Sequence, residues 1–205
     1  MTPRINRDRL LASIATFNRI GELPGGGNCR LALSDADRQG RDLLVAWMRE
    51  RGLAVTIDAI GNIVGVRRGR EDTAPVMLGS HIDTVGTGGR YDGLYGVLAG
   101  LEVCAALDDA RAHSRRPLAL VAFTNEEGAR FAPYAMGSLV YTGGLALADA
   151  YAVTGIDGAT VGDELHRIGY AGEAPPGWLV PHAYLELHIE QGPVLESAGC
   201  VIGAV

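Results

Sequence analysis

The sequence has no block of Lys or Arg. Arg115-Arg116 is an isolated pair, and the formal net charge of −6 at pH 7 argues against a nucleic-acid surface. No apolar run approaches the roughly 20 residues that cross a bilayer, because Gly or a charged side chain interrupts each one, and the start at Met1-Thr-Pro-Arg4 lacks an apolar signal core. Nucleic acid and membrane are therefore not expected partners, and the expected location is cytoplasmic. Cysteine is scarce. Cys29, Cys104 and Cys200 are odd in number, widely spaced and never in a CxxC pair, which fits small buried hydrophobes in a reducing compartment rather than a disulfide framework. Repeats and low-complexity segments are also missing. What is present, 205 residues at 47% hydrophobic and 20% charged, suffices for one sizeable domain with a buried core.

The periodicities alternate between helix and strand. Leu10, Ile14 and Phe17 predict a helix over 5–17, ended by the Gly-rich stretch from Glu22 to Asn28. Ser34-Asp-Ala-Asp37 is a capping-box variant ahead of Leu43, Leu44, Trp47 and Met48, and Gly52 is placed to stop that second helix. β-rich runs at 53–57 and 62–66 flank the turn Asp58-Ala-Ile-Gly-Asn62. Further strands are predicted at 76–80, 118–124, 183–188 and 201–205, and helices at 93–107, 143–151 and 160–168. The helix at 93–107 begins immediately after Asp92, so that carboxylate sits at a helix N-terminus, where an anion is favoured.

Three of the apolar runs end in residues of metal-ligand type. Val76 to Ser80 leads into His81-Ile-Asp83, Leu118 to Asn125 leads into Glu126-Glu127, and Ala183 to Leu187 leads into His188-Ile-Glu190. Ligand crevices in open α/β sheets lie outside the carboxyl ends of the strands, so these three ends can converge although they are distant in sequence. Asp92, in the Gly-rich stretch Gly88 to Gly93, is a fourth ligand candidate. In His81-x-Asp83 a neutral imidazole can bind metal while the neighbouring carboxylate holds its other nitrogen. On an extended backbone Glu126 and Glu127 point to opposite sides and can serve two tasks, one binding metal and the other handling a proton. The set reads as a two-metal hydrolase centre. His113, His166 and His182 read as ordinary surface residues.

Gly79-Ser-His-Ile-Asp-Thr-Val85, Gly88-Gly-Arg-Tyr-Asp-Gly93, Thr124-Asn-Glu-Glu-Gly-Ala-Arg-Phe131 and His188-Ile-Glu-Gln-Gly-Pro-Val-Leu-Glu196 together resemble the amidase, hydantoinase and carbamoylase branch of the M20 metallopeptidase-like family. The Arg30 to Ser34 and Asp58 to Asn62 segments also match. The resemblance implies a mixed-sheet α/β sandwich, the zinc-peptidase-like catalytic core, with residues 1–205 as its amino-terminal portion. In that branch the chain is longer and adds a lid and dimerisation domain, so the core is expected to be incomplete here, and a homodimer is the full-length arrangement. The resemblance also implies that His81 and His188 bind one metal, Glu127 the other, and Asp92 bridges the two. Glu126 is then the general base, Asp83 orients His81, and Gln191 contacts substrate or the inner shell of the site. Two divalent ions are implied, with Zn, Mn or Co all compatible with the donor set.

The expected activity is metal-dependent hydrolysis of non-peptide C–N bonds in N-carbamoyl-L-amino acids or related ureido acids, through a hydroxide shared between the ions. A catalytically incomplete hydrolase-like binding module is one alternative, and an allantoate amidohydrolase or M20 acylase or peptidase another. The His188-Ile-Glu-Gln-Gly-Pro193 element argues against the acylase and peptidase readings.

Overall fold

Local signals start and stop most of the elements. The structure is a computed structural model, and it describes residues 2–205. Helix α1 (Arg7–Phe17) begins where the Asn6 side chain accepts the Arg9 N–H, and it buries Ile14 and Phe17. Helix α2 (Asp35–Glu50) carries a variant of the predicted cap: the Ser34 hydroxyl accepts the Asp37 N–H, and the Asp37 carboxylate accepts the N–H of Leu33, one residue before the cap, at 2.7 Å. It ends at Gly52, whose φ of 73° suits the turn out of a helix. Strands β1 (Ala54–Ile57) and β2 (Ile63–Arg67) form an antiparallel hairpin in the register Ala54↔Val66 to Ile57↔Ile63. Its turn is closed by the buried Asp58 carboxylate, which accepts the Asn62 backbone N–H at 2.8 Å and the Asn62 side-chain N–H at 2.9 Å.

Strand β3 (Val76–His81), helix α3 (Leu94–Asp109), strand β4 (Leu118–Phe123) and the short strand β5 (Ala183–Leu185) complete a five-stranded sheet in the order β1-β2-β4-β3-β5. β3 is parallel to both β4 and β5, whereas β2 pairs antiparallel with β1 and β4. The mixed sheet and its helical cover are the architecture the sequence predicts. Alternation along the strands divides the apolar residues between two faces. Ile63, Leu78, Leu120 and Ala122 pack with Phe17, Leu44, Met48, Val97 and Leu98 from α1, α2 and α3. Val64, Met77, Ala119 and Val121 face the other side, under Phe123, Tyr141 and Leu179. Each large aliphatic or aromatic side chain buried in this way stabilises the fold by about 1.5–3 kcal/mol relative to exposure.

Beyond β4 the structure departs from expectation. Helix α4 (Met136–Thr142) was not predicted. It is short and Gly-containing, and it forms because the Gly137 N–H donates to the Thr124 carbonyl at 2.8 Å, a contact from the end of β4. Gly143, at φ 80°, closes α4, so the helix predicted over 143–151 starts later, as α5 (Leu147–Ala152). Helix α6 (Val161–Ile168) is capped by Thr160 and ended by Gly169, close to its predicted range. The strand predicted over 183–188 pairs only as β5, and the one predicted over 201–205 is irregular and exposed, Val201 at 93% and Ile202 at 80%, beyond the short helix α7 (Val194–Ser197). A β-rich sequence becomes a strand only where a neighbour completes its hydrogen bonds, and among the described residues 201–205 has none.

Candidate functional site

Because β3, β4 and β5 run the same way, their carboxyl ends open on one edge of the sheet. His81 is the last residue of β3 and is 1% exposed. Its Nδ1 lies 2.9 Å from the Asp83 backbone carbonyl. A carbonyl only accepts, so the ring proton sits on Nδ1 and Nε2 turns its lone pair to the open edge. The Asp83 carboxylate, expected to hold that nitrogen, stands 3.8 Å from Nδ1 and accepts the backbone N–H groups of Glu126 and Glu127 at 3.2 Å each. In a chain leaving its strand the carbonyl of Asp83 reaches the imidazole before the side chain can. The side chain then ties the end of β3 to the loop after β4.

That loop turns at Asn125, whose φ is 51° and whose amide donates to the carbonyls of Phe131 at 2.7 Å and Pro133 at 3.2 Å. Glu126 and Glu127 therefore leave a turn rather than a continuing strand, and loop geometry rather than pleat alternation separates their side chains. Glu126 Oε2 stands 3.5 Å from His81 Nε2, and Glu127 Oε1 accepts the Val85 N–H at 3.3 Å. Arg130 anchors the far side of the loop to Asp157 and Glu164, both at 2.7 Å, and to the Ala32 carbonyl at 3.0 Å.

Asp92 precedes Gly93, which caps α3 with φ 60° and ψ −51°. Its Oδ1 lies 3.8 Å from His81 Nε2 and 3.2 Å from His188 Nε2, while its Oδ2 accepts the Gln191 side-chain N–H at 2.5 Å. His188 sits three residues past the end of β5 with Nδ1 2.8 Å from the Ile189 carbonyl, so its Nε2 likewise faces the site. Ligand atoms of His81, Asp92 and His188 all lie within 4.8 Å of one another. Glu190, by contrast, points away and accepts the N–H groups of Val194 at 2.8 Å and Leu195 at 3.0 Å.

The electrostatics of the cluster favour a cation. Burial opposes charge on His81, but Asp83, Glu126 and Glu127, with the Asp83 carbonyl, outweigh it and raise the imidazole pKa. Burial raises Glu127, and the nearby carboxylates of Asp92, Asp83 and Glu126 add to that rise against the opposing pull of His81. Burial also raises Asp83. Four carboxylates and two imidazoles in so small a volume are under-neutralised, and a divalent cation at the Nε2 and Oδ1 atoms would relieve the repulsion, so the donor set fits one. The remaining histidines, His113, His166 and His182, are exposed. The three cysteines are free, and burial pushes the Cys104 thiol up to about 11, far from a reactive thiolate.

Two residues important to this geometry carried only faint sequence signals. A Cβ on Gly93 would lie 2.4 Å from His81 Cδ2 and Nε2, so only Gly fits there. The Asp-Gly pair before an apolar helix hints at it. Asn125 is marked by no more than its place between a strand and two acids.

The profile of peptidase family M20/M25/M40 matches residues 77–205. The chain is 44% identical over 203 residues to the N-carbamoyl-L-amino-acid amidohydrolase of Rhizobium meliloti, covering 98% of this chain and 49% of that protein. It is 36% identical over 202 residues to the ureidoglycolate hydrolase of Arabidopsis thaliana, covering 94% and 42%. Among solved structures, a hydantoinase/carbamoylase family amidase from Burkholderia ambifaria superimposes with a TM-score of 0.93 at 52% identity, over 95% of this chain and 48% of that one. The chain spans about half the length of the curated relatives it matches.

Proposed function

The chain belongs to peptidase family M20/M25/M40, and on that premise we propose that it holds the metal site of an amidohydrolase cleaving non-peptide C–N bonds in N-carbamoyl-L-amino acids or related ureido acids. Residues 1–205 are, in this reading, the amino-terminal portion of the catalytic domain. The observation that carries it is the convergence of His81, Asp92 and His188 within 4.8 Å, with Glu126 standing 3.5 Å from His81 at the same sheet edge. His81, Asp92 and His188 would hold one divalent ion, and Glu127, with Asp92 shared, would help hold a second. Zn, Mn and Co all accept imidazole and carboxylate donors. When bound, such ions polarise the ureido carbonyl and make water acidic enough to be deprotonated near neutral pH.

The chain's own groups do the rest. The Glu126 carboxylate, 38% exposed, is free of any protein hydrogen bond to its oxygens among the described residues and can accept the proton of the attacking water. It then returns that proton to the leaving nitrogen, a service commonly worth about 10²–10⁴ in rate. Asp83 keeps Glu126 in place through its main chain, and Gln191 fixes the rotation of Asp92 by occupying Oδ2. The likeness to ureidoglycolate hydrolase favours, as a second reading, a ureidoglycolate-type acid as substrate for the same centre.

The test is metal content and ammonia release. Purified protein is loaded with Mn²⁺, Co²⁺ or Zn²⁺ and assayed on N-carbamoyl-amino acids and on ureidoglycolate. Glu126→Gln is expected to retain metal and lose about 10²–10⁴ in turnover. Turnover that survives chelation, or equals wild type in Glu126→Gln, overturns the reading.

A further inference from the structure

We propose that Glu186, gripped by Ser80 and Tyr184, is the positioning residue that holds His188 over the site. The inference rests on the metal-centre reading above. The β3–β5 ladder runs Val76↔Ala183, Met77↔Tyr184, Leu78↔Leu185 and stops. In continued register His188 would stand beside His81, yet no backbone pairing carries the chain across residues 186–188. His188 is itself poorly anchored. Its side chain is 30% exposed, and among the described residues its only contacts of hydrogen-bonding kind are the adjacent Ile189 carbonyl and Asp92. The direction of its Nε2 is therefore set by the backbone just before it.

A side-chain clamp replaces the missing ladder there. Glu186 Oε1 accepts the Ser80 hydroxyl at 2.5 Å, and Oε2 accepts the Tyr184 hydroxyl at 2.7 Å. Ser80 is 2% exposed and immediately precedes His81, while Glu186 lies two residues before His188, so the carboxylate couples the two histidine-bearing segments directly. The Tyr184 hydroxyl also lies 3.3 Å from the Gly79 carbonyl, which places the same grip beside β3. From the other side α3 supports the segment: a Cβ on Gly96 would come within 2.5 Å of the Leu187 carbonyl, so the helix backbone lies directly against it. Burial, and then the bond to Glu186, raise the Tyr184 pKa, which keeps the phenol a neutral donor. Both partners of Glu186 donate, so the position needs two acceptor oxygens. Gln supplies only one and turns an N–H₂ toward the second hydroxyl.

Groups that orient metal-binding histidines typically change metal affinity 10- to 100-fold when removed. In the whole chain, Glu186→Ala is expected to weaken Co²⁺ binding by that factor and to alter the visible spectrum of the Co²⁺ complex. Glu186→Gln is expected to lie between Glu186→Ala and wild type, and the unfolding midpoint to move little. In the metal-free protein, long-range ¹⁵N–¹H imidazole spectra of Glu186→Ala should show His188 broadened or shifted with His81 unchanged, a response that general loss of stability would not confine to one ring. Wild-type Co²⁺ affinity together with wild-type His188 resonances in Glu186→Ala overturns the inference. A wild-type protein that binds no Co²⁺ overturns the metal reading instead, and the metal-free spectra then decide the role of Glu186 alone.

Discussion

Replacing Gly93 by Ala puts one methyl group against the buried His81 imidazole, and the structure sets the size of the effect. The new Cβ would stand 2.4 Å from His81 Cδ2 and Nε2 and 2.5 Å from Cε1, against a comfortable separation of about 3.5 Å or more. The ring has to retreat by roughly 1 Å. It cannot do so freely, because it is 1% exposed and its Nδ1 is held at 2.9 Å from the Asp83 carbonyl. Overpacking of this kind costs about 1–3 kcal/mol. The backbone at φ 60°, ψ −51° adds strain for any residue with a Cβ, again about 1–3 kcal/mol. Together they destabilise the fold by about 2–6 kcal/mol, and the displaced Nε2 loses its alignment with Asp92 and His188. Urea unfolding followed by circular dichroism reads the first effect and Co²⁺ titration the second, where a fall of at least about 10-fold is expected. A Gly93→Ala protein within about 1 kcal/mol of wild type and with undiminished Co²⁺ affinity would refute the packing argument.

Two further substitutions probe the scaffold beneath the site. Arg41 is buried with Asp37 at 2.7 Å and donates also to the Gly61 carbonyl at 2.7 Å and the Thr124 hydroxyl at 3.3 Å; Arg41→Ala leaves the Asp37 charge unpaired and should cost about 3–5 kcal/mol in urea unfolding. Burial pushes the Asp58 carboxyl up to about 6, against hydrogen bonds from Asn62 that lower it, from an ordinary 3.8. The folded state thus holds this proton more tightly than the unfolded chain, and stability from this group is complete below about pH 4 and declines by about 3 kcal/mol as pH rises through 6. The difference in unfolding free energy between wild type and Asp58→Asn, measured from pH 4 to 7.5, should carry that slope; a flat difference would refute it.

Helix α2 was legible because everything that starts and stops it, the Ser34 and Asp37 cap and Gly52, lies within a turn of its ends. The runs that became β3 and β4 were legible for a related reason, since apolar β-rich segments of that length bury wherever they pair. Helix α4 was not legible, because its first turn hangs on the Thr124 carbonyl and its neighbours supply what its own sequence lacks. The strand predicted over 201–205 failed in the opposite sense. Its residues suit a sheet, but no described strand lies beside them.

The site divides along the same line. The types of its groups, the imidazoles of His81 and His188 and the carboxylates of Asp92, Glu126 and Glu127, were determined by the sequence, because chemistry capable of holding a cation and moving a proton is a property of single residues and of short patterns around them. The atom that orients each group was decided by tertiary structure. The Asp83 carboxylate turned to the loop 43 residues away instead of to His81, Gly93 made room for the ring, and Glu186 reached Ser80 across 106 residues. Such contacts depend on strand order and on where a ladder stops, and both follow from packing between distant segments rather than from any local preference.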